Sequence, residues 1–417
     1  MAQLTDDCFA FGGPLLSIDA AVALMWERLP VLAGIETVPL IDADGRISAA
    51  DVTAGIDLPP FDNSAVDGYA LCHADLTVDA ETVLPVTDRI AAGTRVDGMS
   101  VAGGAARIFT GAALPVGADT VFMQEDVRRD GDRIVLPPGL KRGANRRLAG
   151  EDIGRGGVVI SAGRRLRPQD LALAAAVGHA SLAVRRRLRV AVFSTGDELT
   201  EPGTALRAGA IYDSNRVMLV TLLRRLGVEV RDLGLLRDDP GVLKQRLSAA
   251  AGDHDLILTS GGVSTGEEDH VKAAVEAVGR LMFWRLGIKP GRPVAMGMIA
   301  GTPFVGLPGN PVAVYVTLLF VVRPLLARLG GAEYSPPIGV PARASFAYGK
   351  KAGRREFVRV NLTHGADGVL EATKYPKDGA GTLTSLTGSD GLAQIEEARI
   401  HLANGETVDV FPHGLLF

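Results

Sequence analysis

Two cysteines in 417 residues, Cys8 and Cys72, leave no disulfide framework and no multi-thiolate metal site to consider. Their scarcity fits a reducing compartment. An excess of positive charge is also missing. The formal net charge of −4 gives no bulk reason to bind nucleic acid or an anionic membrane. Long hydrophobic runs are absent too: residues 312–322, closed by Arg323 and Pro324, are too few to span a bilayer and suit a buried helix. The opening MAQLTDDCFAFGG is acidic and lacks the charged-then-apolar pattern of a signal peptide. No solenoid-like repeat is visible. A soluble, cytoplasmic protein is expected.

What is present describes a folded chain, 47% hydrophobic and 22% charged. Its length calls for roughly two to four domains. Residues 17–32 read as a helix, with Ser17 as its cap and Val22, Met25, Trp26 and Leu29 on one face. From residue 36 to 183 short apolar stretches broken by Gly, Pro and Asp predict a mainly β region, with a further helix over 168–177. Arg185, Arg186, Arg187 and Arg189 read as a solvated linker. From residue 188 strands alternate with amphipathic helices, which predicts a parallel sheet covered on both faces. Beyond Pro336 and Pro337 the alternation of GVPARASF, EFVRVNL, ADGVLEAT and ETVDVF predicts a small antiparallel β domain.

In such a sheet ligands gather at the carboxyl ends of the strands. Four polar loops fall there. Residues 256–269, LILTSGGVSTGEED, turn from an apolar strand into glycines and hydroxyls and then acids. Gly261, Gly262 and Gly266 let backbone N–H groups approach an anion, Ser260, Ser264 and Thr265 add donors, and Glu267, Glu268 and Asp269 could hold a neutralising cation. Residues 194–198, STGDE, offer either a helix cap or a carboxylate pair facing the cleft. Residues 237–240, RDDP, offer acids or simply a helix start at Asp239. Residues 306–311, GLPGNP, stiffen a turn at a helix N-terminus, a place that attracts anions. Between the last two glycine-rich loops, Arg285, Lys289 and Arg292 stand in a segment constrained by glycine and proline. Carboxylates for a divalent cation beside cations and N–H groups for oxyanions suit a phosphorylated substrate or a tetrahedral oxyanion. A second polar concentration, PPFDNSAVDGYA over residues 59–70, is held between Phe61 and Tyr69.

The series PPFDNSAVDGYA, RIFTGAALP, GEDI, FSTGDEL, IYDSNR, LLRDDP, TSGGVSTGEED, IKPGRP and GLPGNP resembles the molybdopterin molybdenumtransferases, the MoeA proteins and the gephyrin E domain, over nearly the whole chain. The resemblance implies a multidomain α/β plus β architecture. Residues 1–60 and 155–186 would form an elongated linking and dimerisation domain, and residues 61–154 an inserted mainly β domain. Residues 187–334 would form a Mog-like α/β domain with a mostly parallel sheet, and residues 335–417 a small β-barrel-like domain. It also implies the chemistry: Mg²⁺-dependent cleavage of adenylylated molybdopterin, transfer of molybdenum from molybdate to the dithiolene, and release of AMP. A homodimer with shared clefts is implied, with a molybdopterin adenylyltransferase and apo-molybdoenzymes as partners, and neither nucleic acid nor membrane.

Carried over position by position, the catalytic candidates are Asp67, Thr110, Asp152, Glu198, Asp238 and Asp269, with Glu198, Asp238 and Asp269 for the metal. The substrate-binding candidates are Ser260, Gly261, Gly262, Ser264, Arg285, Lys289, Arg292, Pro308, Pro311, Arg354 and Ser385. Relatives commonly carry lysine where this chain has Arg285 and Arg292, and serine where it has Ala313; guanidinium and ammonium are not equivalent at a tetrahedral anion. Three other readings compete: an adenylyltransferase acting one step earlier, a gephyrin-type scaffold, and a tungsten-specialised paralogue.

Overall fold

The computed structural model describes residues 15–237, 239–261 and 270–416. Helix Ile18–Arg28 starts where the Ser17 hydroxyl accepts from the Ala20 N–H at 3.1 Å. It stops short of the expected residue 32 because Pro30 disfavours helical backbone before it. Strand Ile35–Pro39 pairs with Ser181–Arg185, and Val52–Thr53 with Val158–Ile160, so the two ends of the β region are tied side by side. Between them lies a six-stranded sheet in the order Thr120–Met123, Gly68–Leu71, Ala105–Ile108, Thr82–Ile90, Arg133–Leu136, Arg128–Asp130. Helix Pro168–Ala176 also forms where it was expected.

The arginines after this region are not a solvated linker. Arg186 holds Asp255 with two bonds of 2.8 and 3.0 Å, and Arg187 donates to the Gly227 carbonyl at 2.9 Å. Their guanidiniums dock the joint onto the next domain, and a buried carboxylate rather than water receives Arg186.

That domain is a six-stranded sheet in the order Glu229–Leu236, Arg189–Thr195, Leu256–Ser260, Thr302–Leu307, Pro293–Ile299, Gly279–Arg285. Alternate side chains go to opposite faces. Val190, Val192, Leu256 and Leu258 meet helix Ser214–Arg225 and the helical stretch that starts at Pro311, while Ala191, Phe193 and Ile257 meet helices Pro240–Asp253 and His270–Glu276. The sheet is mostly parallel, as expected, and the exception is one strand: Pro293–Ile299 runs antiparallel to both neighbours. No crossover helix follows it. Ala300 and Gly301, at φ +47° and +91°, make a two-residue hairpin turn of the left-handed kind that sheet twist favours.

The helical stretch Pro311–Gly330 is long and apolar enough to cross a membrane, yet most of it is buried inside the protein. Its middle, Leu318–Val322, widens into a π turn. Pro324 has no N–H to donate, and its ring would crowd the carbonyl four residues back, which a wider turn relieves.

The C-terminal strands close into a ring of five: Arg355–His364, Leu370–Lys374, Val340–Ala344, Thr407–Pro412, Gly391–Ile395 and back to the first. An odd ring cannot alternate direction throughout. Val340–Ala344 and Leu370–Lys374 are accordingly parallel, the one parallel pair in the ring of the small antiparallel, barrel-like domain that was expected. Strand Ile288–Lys289 of the α/β domain adds itself to this barrel alongside Arg355 and Glu356.

Candidate functional site

Thr195 lies level with Leu236, Ser194 with Ser260, and Ser260 with Leu307. The ends of these strands therefore lie at one edge of the sheet. After Thr195 no helix begins, so the helix-cap reading of STGDE fails. Instead Gly196 turns at φ +147°, and a Cβ there would sit 2.6 Å from Oε2 of Glu198. The Glu198 carboxylate thus folds back over the glycine at the strand tip while remaining exposed. Asp239 is the plain helix start considered above, its carboxylate accepting from the Val242 N–H at 2.9 Å.

Ser260 is buried at the end of its strand, and Gly261 follows at φ +87°. Asn215, in the first turn of helix Ser214–Arg225, ties this strand end to the proline turn. Its Nδ2 donates to the Ser260 hydroxyl at 2.9 Å and to the Gly309 carbonyl at 2.6 Å. The Ser260 hydroxyl in turn donates to the Pro308 carbonyl at 3.3 Å. Pro308 is buried, and Pro311 opens the following helix. Asn215 is itself held by its neighbours: Asp213 caps the helix, and the buried Arg216 is gripped by Asp213, Asp232 and Glu201. Asn215 Oδ1, Ser194 Oγ and Thr195 Oγ1 are buried and have no hydrogen-bond partner among the described residues. Buried polar atoms are normally paired, so this edge is prepared for a polar ligand.

The barrel supplies the opposite wall. Lys289, half exposed, donates to Oε2 of the buried Glu356 at 2.9 Å and to the Tyr348 hydroxyl at 3.2 Å. Burial works against its ammonium, but these two bonds outweigh it and its pKa is raised. Arg354 approaches the other Glu356 oxygen at 3.4 Å. Ser385 is fully buried, accepting from Arg359 Nε at 3.1 Å and donating to the Thr382 carbonyl at 2.6 Å. Arg359 also donates to the carbonyls of Lys377 and Gly379, and the next residue, Ala380, accepts from the Val312 N–H at 3.0 Å. Ser385 and Arg359 are thereby seated beside the proline turn. Arg285 ends its strand half-buried, and Arg292 is exposed. Gly291, between Lys289 and the following helix, has φ +116°, and a Cβ there would lie 2.5 Å from Thr317 Cγ2.

Asp67 and Thr110 meet each other in the other sheet. Asp67 Oδ1 accepts from the Thr110 N–H at 2.8 Å and from its hydroxyl at 2.7 Å. These bonds, the backbone one first, hold the carboxyl below its ordinary pKa. Asp152 is exposed, its N–H bonded to the Leu58 carbonyl. The hydrogen-bond partners of this trio, Leu58, Thr110 and Gln124 among them, lie in the β region and not at the edge of the α/β sheet.

Asp238, Gly262, Ser264 and Asp269 lie outside the described residues. Among the described residues no three His, Cys, Asp or Glu side chains gather as a metal site. Glu198 is an exposed carboxylate without a partner among them, a donor that suits a hard divalent cation. Asn215 and Arg359 were missed as site residues. Asn215 sits inside the recognised IYDSNR, so the motif was visible but not which side chain clamps; Arg359 reads only as one more arginine in a strand.

Residues 16–178 match the family described as MoeA N-terminal region (domain I and II), residues 191–328 a probable molybdopterin binding domain, and residues 341–413 the MoeA C-terminal region (domain IV). The chain is 39% identical to a molybdopterin molybdenumtransferase of Haemophilus influenzae, covering 95% of this chain and 98% of that one. It is 37% identical to molybdopterin molybdenumtransferase 2 of Mycobacterium tuberculosis over 90% and 94% of the two chains. The crystal structure of a molybdopterin biosynthesis moeA protein from Pyrococcus horikoshii superposes with a TM-score of 0.82 at 31% identity, covering 96% of this chain and all of that one. With the same three regions in the same order along nearly the whole chain, the chain belongs to the MoeA family of molybdopterin molybdenumtransferases.

Proposed function

We propose that this protein is a transferase of molybdenum cofactor biosynthesis that places molybdenum, taken from molybdate, on adenylylated molybdopterin and releases AMP. The observation that carries this reading is the meeting of two unlike walls. The Ser260–Asn215–Gly309 turn offers hydroxyls and helix N–H groups, and the barrel offers Lys289, Arg354 and Arg359. The first suits a phosphoanhydride; the second suits a tetrahedral oxyanion. Ser260, Gly261, Gly262 and Ser264 would cradle phosphate, with Pro308 and Pro311 shaping the turn. Lys289, Arg285, Arg292 and Ser385 would receive molybdate.

Mg²⁺ would neutralise the phosphates when held by Glu198 together with Asp238 and Asp269. The side chains of this chain would orient the anhydride for attack by water on its phosphorus, the new P–O bond replacing the bridging one, and AMP would leave with its own phosphate from the hydroxyl-lined turn. Asp67, kept ionised by Thr110, and Asp152 would complete the cleft of a second copy in a cytoplasmic homodimer. An adenylyltransferase and apo-molybdoenzymes are the partners this chemistry calls for. Ala313 is buried in the first turn of its helix, where a serine hydroxyl would add one donor worth about 1 kcal/mol. Ala313→Ser should therefore shift affinity for molybdate or tungstate, and equal affinities would remove this residue from the site.

The deciding experiment combines purified protein, adenylylated molybdopterin, molybdate and Mg²⁺, and follows AMP and the reconstitution of an apo-molybdoenzyme. Both products are expected, and both should be lost in Asp67→Ala. Substrate binding with neither product, with molybdate or tungstate, would leave a binding or scaffold role.

A further inference from the structure

Helix Ser214–Arg225, 12 residues long, starts at the cleft and ends roughly 17 Å away, at the opposite edge of the sheet. There a concavity of about 460 Å³ opens between residues 164–167, the helix end, the middle of the Pro311–Gly330 stretch and residues 415–416. Five of its lining side chains are arginines: Arg164, Arg165, Arg167, Arg225 and Arg323. In a chain with net charge −4 such a concentration calls for a reason.

Part of it is structural. Arg164 and Arg167 are held by Asp170. Arg165 donates to the carbonyls of Gly45 and Leu226, and Arg225 lies in the last turn of a helix, where the dipole favours cations. Arg323 has no such account. It stands inside a helical stretch rather than at its end and is half-buried; among the described residues it has no carboxylate partner and its buried Nη1 has no hydrogen bond. Burial lowers its pKa, and burial followed by Arg323 and Arg187 lowers that of Arg165, as expected where positive charge lacks a counter-ion. The remaining walls are mostly of another kind, Leu326, Leu415, Leu416 and the ring of Tyr334, with the exposed Glu333 as the one carboxylate among the lining residues and Ser335 beside it.

We propose that this concavity is a second ligand site that takes a small organic phosphate, with the phosphate on Arg225 and Arg323 and an aromatic or apolar body against Tyr334 and Leu415. Guanidinium forks match phosphate oxygens in pairs. The volume lies in the range of small-molecule pockets, and the mixture of apolar wall with few convergent charges is their usual make-up. The site is independent of the transferase cleft.

The test is calorimetric titration of the full-length protein with phenyl phosphate, using inorganic phosphate and a hexaglutamate peptide as comparison probes. Phenyl phosphate should bind once per chain and more tightly than inorganic phosphate. Arg225→Gln and Arg323→Gln should each weaken it by about tenfold, the loss of a charge-assisted hydrogen bond. Asn215→Ala, at the cleft, should leave it unchanged. Arg225 is exposed, so its variant keeps the test valid even if Arg323→Gln folds poorly. Absence of binding, binding indifferent to Arg225→Gln, or loss only in Asn215→Ala would overturn the proposal. Equal affinity for inorganic phosphate would remove the apolar contact, and preferential binding of the peptide would replace the small ligand with an acidic protein segment.

Discussion

The amide of Asn215 donates to the hydroxyl of Ser260 at 2.9 Å, and the same nitrogen also holds the Gly309 carbonyl. One side chain thus sets the distance between a strand end and a helix start. Asn215→Ala should lower stability by about 1–2 kcal/mol, the net worth of the lost bonds. It should lower AMP release by roughly tenfold or more, since each 1.4 kcal/mol of misplaced transition-state contact is a factor of ten. Urea unfolding and the AMP assay separate the two; unchanged turnover with lowered stability would confine Asn215 to a structural role.

Glu356 neutralises part of the charge that Lys289 brings to the cleft. In Glu356→Gln the lysine loses its ion pair, one of the two contacts that raise its pKa, and gains freedom to meet an incoming oxyanion. Molybdate or tungstate binding by titration calorimetry should tighten by up to about fivefold, the worth of a half-exposed ion pair. Weaker binding would mean that Glu356 positions Lys289 rather than competes for it.

His413 links the two walls from behind, facing the Tyr315 hydroxyl at 2.8 Å through Nδ1 and the Ser389 hydroxyl at 3.1 Å through Nε2. Burial lowers its pKa below 6.5, with the Asp390 charge opposing. The unfolded chain therefore binds this proton more readily than the folded one. The stability due to neutral His413 is complete above pH 6.5 and is lost as pH falls from there through the lower folded value. Denaturant unfolding between pH 7.5 and 5 should show a decline that His413→Gln reduces; equal slopes would assign it to other groups.

Gly291 leaves no room for a side chain. Gly291→Ala combines a left-handed backbone with a Cβ 2.5 Å from Thr317 Cγ2, and should destabilise by about 1–3 kcal/mol. Because Lys289 is two residues away, oxyanion affinity should fall as well. Thr317→Ser removes the opposing methyl and should restore part of the stability, which thermal unfolding would register.

Much of the fold was legible because its signals are local. Ser17, the glycine-ended helix after Asp213 and the apolar strand before Ser260 each announce an element through capping or periodicity. The reversal of strand Pro293–Ile299 and the odd closure of the barrel were not legible, since direction depends on which strands pair at a distance. The site divides the same way. Ser260, Gly261 and the proline turn were found from glycine and proline spacing. The union of Arg359 with Ser385, 26 residues apart, appears only when the barrel closes. The arginines near residue 186 misled because their carboxylate partner, Asp255, lies 69 residues downstream.

Strand Ile288–Lys289 belongs by sequence to one domain and by hydrogen bonding to the next. Swinging the barrel outward would have to undo that ladder, the Lys289–Glu356 pair and the Val312–Ala380 bond in a single event. The two walls of the cleft consequently answer a ligand as one lever arm.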